Sequence, residues 1–149
     1  MESLDDQLID AARVPTAVKA AAGATGLAAA LGVILALQNL TLVQWAGAWM
    51  AMPIGVLLLG GATAWAAMRT ARGRPYGLSL ALSLSIALVT GCIAWLVIAF
   101  MSGVVSLLGL TVPAVGLAAI LLDGLALVPY GKLTAARRQL KASGHDLDL

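Results

Sequence analysis

The sequence points to an all-α membrane protein: a four-transmembrane-helix bundle built as two hairpins, with short amphipathic helices at both cytoplasmic ends. Composition, segregation of charge and the sidedness of the basic residues each lead there. Of 149 residues, 61% are apolar and 11% charged, against roughly 25% charged in an average soluble domain. No Lys, Arg, Asp, Glu or His occurs from Ala20 to Met68, and from Pro75 to Gly131 the one exception is Asp123. A hydrocarbon layer about 30 Å thick takes about 20 helical residues, so each uncharged block holds two spans and a turn.

With four spans, all nine basic residues fall on one side of the membrane. Arg13 and Lys19 precede span one, Arg69, Arg72 and Arg74 lie between spans two and three, and Lys132, Arg137, Arg138 and Lys141 follow span four. The two opposite loops carry none. The positive-inside rule makes the basic side cytoplasmic, with both termini inside, and three or five spans would scatter the same residues over both faces. The expected location is the bacterial inner membrane. Because the bases flank apolar spans, their partner is the lipid surface and not nucleic acid.

Residues 1–16 form the N-terminal cytoplasmic segment, read as an amphipathic helix. Ser3 suits its N-cap, Asp5 and Asp6 suit the positive helix end, and Leu4, Leu8, Ala11 and Ala12 share a face. Pro15 ends it. Met1 to Asp10 holds four acids and no base, unlike the basic start of a cleavable signal peptide, so no cleavage is expected.

The transmembrane domain covers residues 17–130, with spans at about 18–37, 46–68, 77–100 and 104–128. Gln38, Asn39, Thr41 and Gln44 make the polar turn after the first span. Pro53 is expected to kink the second span near Trp49. Trp45 and Trp49 at one end of that span, and Trp65 at the other, read as interfacial anchors. From Leu78 to Ile86 the third span alternates leucine or isoleucine with serine or alanine, which alone would suit a strand. A lone strand leaves unpaired backbone in lipid and the other runs are continuous, so a helix is expected. Met101, Ser102 and Gly103 form a tight outer turn, and Pro113 is expected to bend the fourth span. The basic tail, residues 131–149, forms a short helix with Leu133, Ala136 and Leu140 toward the membrane. His145 belongs to its solvated end.

Membrane helices associate where small residues let backbones approach. Gly26 and Ala30, together with Ala22, mark a stripe on span one. Gly55 with Ala51, and Gly60 with Ala64, mark span two. Ser79 and Ser83, continued by Ala87, Thr90 and Ala94, mark span three, and Gly109, Pro113, Gly116 and Ala119 lie on the same side of span four as Asp123. These positions serve packing within the bundle or docking on another subunit.

Asp123 is the single carboxylate within the spans. An ionised carboxylate there costs about 2.5–3.5 kcal/mol on insertion scales, so it faces protein or water. It lies about two helical turns, roughly 10 Å, from Tyr130, which places it in the inner leaflet. It is the candidate ion or proton site, and Arg69, Arg72, Arg74 and Lys132 are its possible partners by snorkelling. No catalytic residue is assigned, because the spans hold no His, Glu or Lys to activate a serine. Cys92 is read as a packing residue, no metal spacing is present and no cofactor is expected.

Pro75-Tyr76-Gly77 recurs as Pro129-Tyr130-Gly131, but one copy opens a span and the other closes one, so the halves do not align as a repeat. Small four-span drug exporters carry a glutamate in their first span, and span one here has no carboxylate. The expected role is a non-catalytic accessory or assembly subunit of a larger membrane complex, bound to other membrane subunits as a hetero- or homo-oligomer. An oligomeric channel or proton-coupled small transporter using Asp123 is the alternative.

Overall fold

The computed structural model describes residues 4–42, 50–101, 103 and 106–143. Five helices account for nearly all of them: α1 (Leu4–Ala11), α2 (Thr16–Leu42), α3 (Ala51–Ala71), α4 (Gly77–Met101) and α5 (Leu107–Ala142). Among the described residues there is no strand, so the alternating stretch from Leu78 to Ile86 is helical. Four helices, α2 to α5, are long and apolar enough to cross a membrane.

The four pack in a ring in which α2 meets α3, α3 meets α4, α4 meets α5 and α5 returns to α2, while α2 and α4 touch less extensively across the middle. Gly60 of α3 approaches Ala29 and Val33 of α2, while Ala67, further along α3, faces Gly26, earlier in α2. One end gathers Val18 and Ala21 of α2, Leu78 of α4, and Ala126, Tyr130 and Leu133 of α5. The other gathers Leu35 and Ala36, Val56, Leu88 and Cys92, and Val112. Between them the helices meet through small buried residues, among them Ala28, Ala29, Ala66, Ala67, Ala81 and Ala119. Close backbone approach of this kind takes the place of the hydrophobic effect where the surrounding solvent is itself apolar.

Helix ends follow local chemistry. Ser106 caps α5 by accepting a bond from the Gly109 amide at 3.0 Å, a hydroxyl satisfying one of the free donors of a first turn. At the end of α3, Gly73 takes a left-handed φ of 61°. Its amide bonds the Thr70 carbonyl at 2.9 Å, and the Arg74 amide bonds that of Arg69 at 3.0 Å. This double closure is the Schellman arrangement, with glycine where the backbone turns left-handed.

Two expectations change. Pro53 lies near the start of the described part of α3. Trp45 and Trp49, with the kink expected there, fall outside the described residues, as do Ser3 and His145. The fourth span and the basic tail are one helix, α5, continuous through Pro113 and Pro129. At about 1.5 Å per residue its 36 residues reach about 54 Å, well beyond a hydrocarbon core. Leu133, Ala136 and Leu140 on its extension are 1%, 6% and 0% exposed, so they face the protein and not the membrane. Helix α1 packs along α5, and Ala12 behind it is buried.

Candidate functional site

Asp123 stands on the buried stripe of α5, in helical spacing with Gly109, Val112, Gly116, Ala119, Ala126 and Tyr130. Its side chain is fully buried, and so is Thr25 on the facing helix α2. The Thr25 hydroxyl donates to the carboxylate, with Oγ1 3.1 Å from Oδ1 and 3.0 Å from Oδ2. Thr25 was not among the partners legible in the sequence. Its signal is its place one turn beyond Ala21 and Ala22 on the buried face of α2, which α5 covers.

The basic residues expected near Asp123 lie elsewhere. The Arg69 guanidinium stacks over the Trp65 ring at 4.8 Å and reaches the Pro75 carbonyl at 3.4 Å. Arg72, Arg74 and Lys132 are exposed at the end of the bundle. Among the described residues, the ion pair that forms is the exposed Arg13–Asp10 at 3.5 Å.

The small-residue stripes divide. Gly60 is a tight crossing, where an added Cβ would fall 2.8 Å from Val33 and 3.2 Å from the Ala29 carbonyl. At Gly116 it would overlap the Val89 side chain, and at Gly109 it would fall 3.3 Å from Leu96. Gly26 faces Ala67 at an ordinary 3.9 Å, whereas nothing lies within 4 Å of the Gly55 position. Ala30, Ser79, Ser83, Thr90 and Ala94 are exposed on the outside of the ring. The face of α4 turned inward is instead Leu78, Ala81, Ser85, Leu88, Cys92 and Trp95. Packing within the bundle therefore uses Gly60, Gly109 and Gly116 directly, and leaves the serine face outward.

A second constellation lies at the basic end. The Tyr130 hydroxyl accepts from the Gly77 amide at 3.0 Å and donates to the Arg74 carbonyl. One turn or two further along α5, Arg137 donates from Nε to the Ala12 carbonyl at 3.1 Å and from Nη1 to those of Arg72 and Gly73 at 2.9 and 3.1 Å. The planar guanidinium fork suits this task, since it presents several donors in fixed directions. It ties the end of α1 and the α3–α4 loop to α5. Tyr76, the other tyrosine of the repeated tripeptide, is 76% exposed, so the two copies do different things.

Chemically, the buried pair offers one carboxylate and a hydroxyl donor, and the basic end offers a structural clasp. Cys92 packs in the apolar cluster at the far end of the ring. No family model, no curated protein and no solved structure matches the chain.

Proposed function

We propose that the chain is an integral protein of the bacterial inner membrane, folded as two transmembrane hairpins with both termini and their amphipathic helices in the cytoplasm. Its role is that of a non-catalytic accessory or assembly subunit of a larger membrane complex. The observation that carries this reading is the outer face of α4. Ser79, Ser83, Thr90 and Ala94 are exposed there, and Ile86, Ile93 and Val97 stand exposed beside them. The hydroxyls of Ser83 and Thr90 bond carbonyls of their own helix at 3.0 and 2.8 Å, so they sit in an apolar setting without an unmet donor. Small holes beside β-branched knobs are what a second membrane helix packs against.

The interior supports the same reading. At the end of the ring away from the basic residues, the described residues include the apolar cluster of Leu35, Ala36, Val56, Leu88, Cys92 and Val112, which sets apolar side chains across a polar route through a single chain.

The test is photocrosslinking in native membranes from Ser83 and Thr90, with Leu58 and Leu125 as lipid-facing controls, followed by mild extraction and mass spectrometry. A different, larger membrane chain crosslinked from α4 alone is the expected result. A profile on α4 equal to that of the controls would overturn the reading. So would a lone homo-oligomer that exchanges ions in liposomes, and that outcome favours the channel or carrier alternative.

A further inference from the structure

Val18, Leu78 and Tyr130 meet in one cluster, which puts α2, α4 and α5 in register at the basic end. About two turns along each helix, roughly 10 Å, come Thr25, Ser85 and Asp123. Beyond them Leu35, Leu88 and Val112 meet again. On α3 the buried hydroxyls Thr63 and Thr70 fall on either side of Ala67, which faces Gly26. Thus α2, α4 and α5 each place one polar side chain at a similar depth, between two apolar clusters. Thr25, Ser85 and Asp123 are 0%, 1% and 0% exposed.

Their hydrogen bonds are unequal. Thr63 bonds back to the Leu59 carbonyl at 2.7 Å, and Thr25 donates to Asp123. The Ser85 hydroxyl is buried with no partner among the described residues, a condition rare enough in folded proteins to need a reason. The titratable and charged groups nearest on each helix look elsewhere. Lys19 of α2 is exposed, and Arg69 of α3 lies over Trp65. Cys92 of α4 is in the far cluster, Tyr130 of α5 is engaged with the α3–α4 loop, and Lys132 is exposed.

We propose that this layer is a proton-binding site, in which Asp123 takes up and releases a proton and changes hydroxyl partner as it does so. Ionised, Asp123 accepts from Thr25, as in the arrangement seen. When a proton from water forms an O–H bond at one carboxyl oxygen, that oxygen becomes a donor, and Ser85 Oγ on the neighbouring helix is the acceptor the layer has left open. A proton asks for no room between close-packed helices, and it removes the charge that an apolar bundle disfavours. The inference is independent of the accessory role, since a bound proton can tune the packing of α5 against α2 and α4 in a subunit that transports nothing.

The test is infrared difference spectroscopy of the full chain in lipid nanodiscs, from acid to mildly alkaline pH. The carboxylic C=O stretch is the readout. A titrating band that vanishes in Asp123→Asn and moves to higher frequency in Ser85→Ala, where the acceptor is gone, is expected. Ser85→Ala keeps the fold accessible should Asp123→Asn disturb it. Overturning results are a spectrum with no carboxylic band sensitive to either substitution, or a carboxylate that responds to sodium chloride and not to choline chloride. The latter assigns the layer to a metal cation.

Discussion

Replacing Thr25 by valine removes a hydroxyl at nearly constant shape, and the geometry sets the size of the loss. One hydroxyl hydrogen serves both oxygens of Asp123, at 3.1 and 3.0 Å, so one shared bond is lost, not two. A hydrogen bond to a charged acceptor contributes about 1.5–3 kcal/mol in soluble proteins. Bonds between membrane helices average about 0.6 and reach about 1.7 kcal/mol, because separated helices find other partners. Both groups are fully buried, which places Thr25→Val at the upper part of the membrane range, a loss of about 1–2 kcal/mol. Most of that is Asp123 left without its donor. In an Asp123→Leu background no carboxyl remains to be stranded, and Thr25→Val should then cost less than about 0.5 kcal/mol. Equilibrium unfolding in mixed micelles, followed by circular dichroism, measures the four corners of the cycle. Additivity within about 0.3 kcal/mol would refute the coupling and with it the pairing of α2 to α5 through this bond.

Gly60→Ala should destabilise by about 1–3 kcal/mol, because its Cβ would press on Val33 and on the Ala29 carbonyl, whereas Gly55→Ala meets open space and should be neutral or stabilising by up to about 1 kcal/mol. The same unfolding assay separates them. Arg137→Ala should expose the α3–α4 loop, raising the rate of tryptic cleavage after Arg72 several-fold, while the Arg74–Pro75 bond stays resistant. Arg137→Lys should restore the wild-type rate incompletely, because one ammonium lacks the fork that spans three carbonyls. Tyr130→Phe should cost about 1 kcal/mol by removing the hydroxyl that bridges the Gly77 amide and the Arg74 carbonyl, which keep their direct bond at 3.1 Å, with faster amide exchange at Gly77 as its local sign.

What could be read in the chain was whatever lies within one helix. On α5 the small residues recur at helical spacing with Asp123 among them, and that face is the buried one. On α2 the reading slipped. Alanine and glycine occupy so much of its circumference that no side stands out, and the stripe through Ala22, Gly26 and Ala30 is rotated from the buried line of Val18, Ala21, Thr25 and Ala28. On α4 the serines of one short stretch point in opposite directions. Ser79 and Ser83 are one turn apart and exposed, while Ser85, about 200° further round at 100° per residue, is buried with Ala81, Leu88 and Cys92. The left-handed end of α3 at Gly73 went unread, although a glycine followed two residues on by proline is a local stop signal. Nothing local announces that Arg137 will close on that loop, for the contact spans most of the chain.

The same limit explains the buried pair. Apolar side chains of similar size distinguish poorly between registers one turn apart, and α2 offers alanine at many levels. Asp123 does distinguish them. Sliding α5 by one turn along α2 would set the carboxylate opposite Ala21 or Ala29, neither of which has a side-chain donor. An unpaired buried carboxylate costs several kcal/mol, more than the packing lost in a shifted but still apolar interface. The clasp of Tyr130 and Arg137 acts on other elements, because its bonds run to the α3–α4 loop, to Gly77 at the start of α4 and to the end of α1, whereas Thr25 fixes the level of α5 on α2 itself. A single polar pair in an otherwise apolar interior thus selects one register among several of nearly equal packing, and the hydroxyl on α4 at the same depth lies where a protonated Asp123 would turn.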